Sequence, residues 1–248
     1  MPVSRHESSR QLLLLAVALA SSFLKADVRP FTGFKLISQK SQSPAGLVAL
    51  AAHEDDIKAV RSVLLGRRTV NEFEAELPED WEEKVRRAVE AACYAPNHRR
   101  TEPWRFHLLG PRKIRSVCEL NARLVEASKG ADAGAKKLSR WLQIPGWLVV
   151  TQLLPANAEL LEADREGSLL REDYAACCCA VQNLCLSLHS EGLGTKWTTG
   201  PVNFHTDFHA AAGIPEGQQV VGTIWFGAAA ALPEAPKKRF SLDEVLQK

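Results

Sequence analysis

The stretch from Asp173 to Ser190 is apolar on nearly every side. It runs through Tyr174, Val181, Leu184 and Leu188 with no charged side chain between Asp173 and His189. A helix without a polar face belongs at the centre of a fold or in an interface, so the rest of the chain must be arranged around it. Gly192-Leu193-Gly194 breaks it. Three strands are read elsewhere: Trp104–Leu109, Trp147–Leu153 as a buried strand, and Val220–Gly227. His53-Glu54-Asp55-Asp56 caps a helix whose face is Ile57, Val60, Val63 and Leu64, ended by Gly66. Pro78-Glu79-Asp80 opens the next, striped by Trp81, Val85, Ala88, Val89 and Ala92 and stopped by Pro96. A helix over 113–129 follows, then a variable stretch through Arg140. With no repeat and no linker after residue 52, residues 53–248 read as one mixed α+β domain.

Residues 1–52 have a different character. They carry Arg5, Arg10, Lys25, Arg29, Lys35 and Lys40 against only Glu7 and Asp27. The apolar run from Leu12 to Leu19 is too short to span a bilayer, which takes about 20 residues. Its basic, apolar, small-residue order is that of a secretory signal. The Ser-, Lys- and Ala-rich part after Lys25 is like a transit peptide. Together they resemble a bipartite presequence, with Phe23 or Phe31 opening the transit part and a plastid as destination. A mitochondrial or secretory fate and a packed N-terminal helix are the alternatives. The mature domain is expected to have no membrane partner.

The net charge of +2 argues against nucleic acid as the main partner. Six cysteines, three of them consecutive at Cys177-Cys178-Cys179, contain no CxxC pair. They suit neither a disulfide framework nor a structural zinc site, and no metal is expected. Reduced, mostly buried thiols are the expectation.

Chemistry concentrates in short polar segments. Arg67-Arg68-Thr69 lies at a helix end, where paired guanidinium groups can grip a phosphate or carboxylate and Thr69 can add a hydroxyl. One helix later comes Ala95-Pro96-Asn97-His98-Arg99-Arg100-Thr101-Glu102-Pro103-Trp104-Arg105-Phe106. Two basic loops bracketing a helix suit an anionic aromatic ligand, and FMN has both features. A polar loop, Gly194-Thr195-Lys196-Trp197-Thr198-Thr199-Gly200, and the basic run Lys237-Lys238-Arg239 complete the set.

In this order the segments resemble the flavin-dependent nitroreductase family, short bacterial type. The matches are R-R-[ST] at Arg67–Thr69, A-P-x-H-x-x-x-Q-P-W-R-F at Ala95–Phe106, G-x-x-W-x-[ST]-G at Gly194–Gly200, and V-G-x-x-x-x-G followed by P-K-K-R at 221–239. The resemblance implies an α+β nitroreductase-like fold, a central antiparallel sheet flanked by helices, in an intertwined homodimer with FMN at the subunit interface. It implies that Arg67, Arg68 and Thr69 hold the phosphate and ribityl end and that His98 reaches in from the other subunit. Trp197, Thr198 and Thr199 would line the cofactor, Lys238 or Arg239 would close on the phosphate, and Glu102 would stand near the ring. Three positions depart from the pattern: Glu102 replaces Gln, Thr198 stands where close relatives carry Arg, and Asn71 stands where many members place a further Arg.

The activity implied is an FMN-dependent NAD(P)H oxidoreductase. Hydride passes from NAD(P)H to flavin N5 and then, in ping-pong fashion, to an electron-poor small molecule such as a nitro- or quinone-like acceptor. The flavin carries the chemistry, so no side chain is named as catalytic. The chain lacks GxGxxG, which argues against a separate dinucleotide domain. Other readings are a reductase of one metabolite or a flavin-fragmenting relative, a non-catalytic flavin carrier, and a cofactor-free dimeric interaction module.

Overall fold

The computed structural model describes residues 53–155, 167–234 and 240–246. The basic N-terminal stretch and Lys237-Lys238-Arg239 lie outside the described residues.

The chain folds as helix α1 (Glu54–Gly66), α2 (Trp81–Ala92), a 3-10 turn (His98–Arg100), strand β1 (Trp104–Leu108), α3 (Pro111–Lys129), α4 (Ala131–Leu142) and β2 (Gly146–Leu153). It continues through α5 (Ser168–Ser190), β3 (Gly194–Thr198), a 3-10 turn (Pro201–Phe204), α6 (Phe208–Ala212), β4 (Gln218–Gly227) and α7 (Leu242–Val245). The four strands form one antiparallel sheet in the order β1-β2-β4-β3. The α+β expectation and the central antiparallel sheet therefore hold.

Each face of the sheet carries its own core. Leu148, Val150, Ile224 and Phe226 pack on one face against Val85, Ala88 and Ala92 of α2 and Ala180, Val181 and Leu184 of α5. Trp147, Val149 and Trp225 pack on the other against Val117 and Cys118 of α3 and Phe208 of α6. Alternate residues of a strand face opposite ways, and one irregularity in β4 corrects the count. Val150 pairs with Gly222 but Thr151 pairs with Val220, leaving Val221 as an extra residue. This bulge lets Val221 join the α2–α5 core while Val220 joins the other.

Two sequence expectations are corrected. The variable stretch before Arg140 is largely helix α4, and Gly194–Thr198 is the edge strand β3 rather than a loop. Helix α4 folds back on α3 at Gly130, whose φ of 89° a side chain would resist. Gly134 then lets the two helices approach, since a Cβ there would lie 3.0 Å from the Ala122 carbonyl oxygen. Helix α5 is central as expected, with eight buried residues along its length. Cys177 is buried, Cys178 half-buried and Cys179 exposed, and all six cysteines are free thiols. Helix α1 has the expected apolar row, yet no residue of it is buried. Val60, Val63 and Leu64 instead line an open apolar groove of about 590 Å³ with Ala91, Tyr94 and Leu186.

Candidate functional site

The segment after α1 runs along β3. Thr69 bridges Thr195 in parallel, and the Val70 N–H donates to the Thr195 carbonyl at 3.0 Å. A small residue in β3 permits this, because a Cβ on Gly194 would lie 2.5 Å from a Val70 methyl. Val70 is thereby buried. The first and third sequence candidates thus meet at Thr69 and Thr195; because the bridge is parallel, Asn71 runs on toward Lys196 while Arg67 and Arg68 lie back toward His189 at the end of α5.

Alternation in β3 divides the surroundings in two. On the α5 side, Arg67 and Arg68 lie near His189, whose ring abuts Gly66: a Cβ there would be 3.1 Å from Nε2. Burial lowers the His189 pKa, and Arg67 and Arg68 lower it further. Burial pushes the nearby Cys185 thiol up, opposed by Thr195 and Arg67. The two arginines are not equivalent. Arg68 Nη1 donates to the Leu65 and Arg67 carbonyls at 2.6 and 2.9 Å, closing the end of α1. Arg67 makes no such bond among the described residues, so it is the better candidate for gripping an anion.

On the opposite side lies a cavity of about 710 Å³, lined by Asn71, Glu72 and Phe73, by Lys137, Arg140 and Trp141 of α4, and by Lys196, Thr198 and Trp225. Lys196 Nζ donates to Asn71 Oδ1 at 2.8 Å and stands 5.3 Å from the Trp225 ring centroid. Burial lowers the Lys196 pKa, with Arg140 and Lys137 adding to the effect. Trp141, Trp147 and Trp225 pack mutually with centroids 5.0 to 5.6 Å apart. The buried Trp225 Nε1 has no hydrogen-bond partner among the described residues. Thr198 lines this cavity; Trp197 turns to the other face, its indole beside Gly222. Sequence reasoning missed Lys137, Arg140 and Trp225 and gave the side chain of Lys196 no role. The available signal was the alternation that puts Lys196 and Thr198 on one face.

The second basic segment lies elsewhere in the same protomer. Arg99, Arg100 and Glu102 have φ of 61°, 52° and 45°, the left-handed region that side chains resist. Asn97 holds the turn: its Nδ2 donates to Thr101 Oγ1 at 3.0 Å and its Oδ1 accepts the Glu102 N–H at 2.7 Å. Thr101 Oγ1 donates to buried Asp173 at 2.5 Å. His98 Nδ1 meets Glu172 Oε2 at 2.7 Å, and Glu102 is exposed without an ion pair among the described residues. These contacts tie the turn to the start of α5, whereas Arg67 sits by its end. At 1.5 Å per residue, Glu172 and His189 are about 25 Å apart along the axis. One protomer therefore does not bring His98 or Glu102 to Arg67. Lys238 and Arg239 fall outside the described residues.

The model of the Nitroreductase family matches residues 64–228, which takes in both cores and the β3 edge. The chain is 28% identical over 189 residues to YfhC of Bacillus subtilis (strain 168), which is named as an NAD(P)H nitroreductase; the match covers 72% of this chain and 89% of that one. The nitroreductase-like family protein of Bacillus cereus superposes with a TM-score of 0.62 at 27% identity, over 76% of this chain and 95% of that one. A nitroreductase with bound FMN from Desulfitobacterium hafniense DCB-2 superposes with a TM-score of 0.54 at 18% identity, over 74% and 97%.

Proposed function

Because the chain belongs to the Nitroreductase family, we propose that it is an FMN-dependent NAD(P)H oxidoreductase acting as a homodimer on an electron-poor small molecule. The observation that carries this reading is the cavity beside β3. The Trp225 indole lies in its wall, and Lys137, Arg140 and Lys196 outnumber Glu72 in its lining. Its size is in the range of about 300–1,000 Å³ that takes small ligands. A flat ring with electronegative carbonyl edges suits both features.

Residues of this chain would divide the binding work. Arg67 and Thr69 would hold the phosphate on one side of the β3 edge, with His189 close to that charge. Asn71, Lys196, Arg140 and Thr198 would hold the ring edge on the other side, with the Trp225 indole walling the cavity. When bound, FMN supplies two-electron transfer between NAD(P)H and a nitro- or quinone-like acceptor, in alternating half-reactions. The chain's part is to orient, exclude water and provide positive charge where negative charge develops. Cationic α4 supplies charge that Asn71 and Thr198 do not carry.

The dimer is supported by two features. The row Ile57, Val60 and Leu64 is exposed beside an apolar groove, as expected of a surface that meets another. The distance along α5 also leaves His98 and Glu102 available only to a second copy's site. Residues 1–52 are proposed as a presequence directing the chain to a plastid, to be checked by imaging a fluorescent fusion.

The purified chain should be yellow, absorbing near about 450 nm as bound flavin does, and NAD(P)H should bleach it. Arg67→Ala should weaken FMN binding at least tenfold in a fluorescence titration. A colourless protein that added FMN does not bind refutes the reading. A yellow protein that NAD(P)H does not bleach favours the carrier.

A further inference from the structure

We propose that Lys196 is the residue that sets the redox potential of the flavin, standing in from β3 for the cation absent at position 71. The inference rests on the FMN reading above and assigns a role within that site.

Asn71 is uncharged, yet its Oδ1 is the acceptor that fixes Lys196 Nζ at 2.8 Å. The side chain at 71 thus positions a positive charge at the same place in the cavity wall. The indole of Trp225, 5.3 Å from Nζ, holds the ammonium from below, an arrangement that is attractive in itself. Lys196 reaches this point because alternation in β3 turns it, together with Thr198, away from the α5 side and into the cavity. Lys137 and Arg140 face the same space from α4, and Glu72 is the one acid in the lining. Placing Lys196 among cations and partly out of water is unfavourable for its own charge, and its lowered pKa reports this. A ligand that gains negative charge in the cavity relieves that cost. Reduced flavin is more electron-rich than oxidised flavin, so a fixed cation binds it more tightly and raises the potential. Arg140 is exposed, where solvent screens it more, and Lys137 is half-buried over the Trp141 ring. Lys196 is the cation tied down on both sides.

The test compares FMN bound to the wild-type chain, Lys196→Met and Lys196→Gln. For each, the affinities of oxidised and reduced FMN and the midpoint potential are measured. Loss of the charge should cut the ratio of reduced to oxidised affinity at least tenfold, equivalent to about 30 mV more negative for a two-electron couple. Affinity for oxidised FMN should fall less than affinity for reduced FMN. Asn71→Lys combined with Lys196→Met should restore the ratio to within threefold of wild type, since it returns a cation to the neighbouring position. An unchanged ratio in both single variants overturns the assignment. So does a failure of the double variant to restore it when it folds and binds oxidised FMN as wild type does. If the wild-type chain binds no FMN, the functional reading falls and this assignment with it, an outcome distinct from an unchanged ratio in flavin-bound protein.

Discussion

Replacing Gly194 with alanine tests the link between the sheet edge and the site. The new methyl carbon would lie 2.5 Å from Val70 Cγ2 and 3.0 Å from its Cβ. Two responses are open. Val70 could be expelled, losing about 1.5–3 kcal/mol of burial and about 1 kcal/mol for its N–H bond to Thr195. Alternatively, the 69–71 segment could shift outward by a few tenths of an ångström, at the roughly 1–3 kcal/mol typical of an overpacked core. The second is cheaper, so the expected destabilisation is about 2 kcal/mol. For a domain of this size that is a fall in Tm of roughly 4–8 °C. Thr69 and Asn71 flank Val70, so FMN affinity should fall too. Gly200→Ala is the control: nothing lies within 4 Å of its Cβ position and its φ of −63° suits any residue. Thermal melts and FMN titrations of both variants, with Val70→Ala added to Gly194→Ala as a partial rescue, check the reasoning. A Gly194→Ala protein with wild-type Tm and affinity refutes it.

Thr101→Val removes the hydroxyl that donates to buried Asp173; a lost bond to a charged group costs about 1.5–3 kcal/mol, read as a lower midpoint in urea with unchanged slope. A thiol reagent at neutral pH should label exposed Cys93 and Cys179 quickly, while Cys118 and Cys177, buried and pushed up to about 12, should react only on unfolding; labelling rates followed by peptide mapping decide it. Those two thiols also set a sign for alkaline stability. Above about pH 8.5 the unfolded chain loses protons that the folded chain keeps, so stability should fall as pH rises toward 12, a trend that Cys118→Ala with Cys177→Ala should reduce in melts across that range.

The fold was legible where one physical signal dominated. The apolar circumference of α5, the stripe of α2 and the buried run of β2 each declared burial, and burial decided their positions. Helix α4 was hidden because its sequence, Ala131-Asp132-Ala133-Gly134-Ala135-Lys136-Lys137, has no large apolar side chain before Leu138. Its helicity depends on a close approach to α3 through Gly134, which no periodicity displays. Strand β3 was hidden because Thr195, Lys196 and Thr198 are polar. Their partners are the rest of the sheet and the segment at Thr69, both distant in sequence. That the segments Arg67–Thr69 and Gly194–Gly200 approach one another could be read from motif order; the pairing of Thr69 with Thr195 could not. The cations of the cavity could not, because Lys137 and Arg140 reach it only through α4. The distinct roles of Arg67 and Arg68 were likewise invisible until the carbonyls at the end of α1 were placed.

The length of α5 has a genetic corollary. If its two ends serve different sites in a pair of identical chains, each site is built half from one gene copy and half from the other. A chain crippled at Arg67 and a chain crippled at His98, each inert alone, would on co-expression assemble mixed pairs in which one site carries both lesions and the other carries none. Two dead alleles would then complement, with at most half the normal number of working centres in each mixed pair.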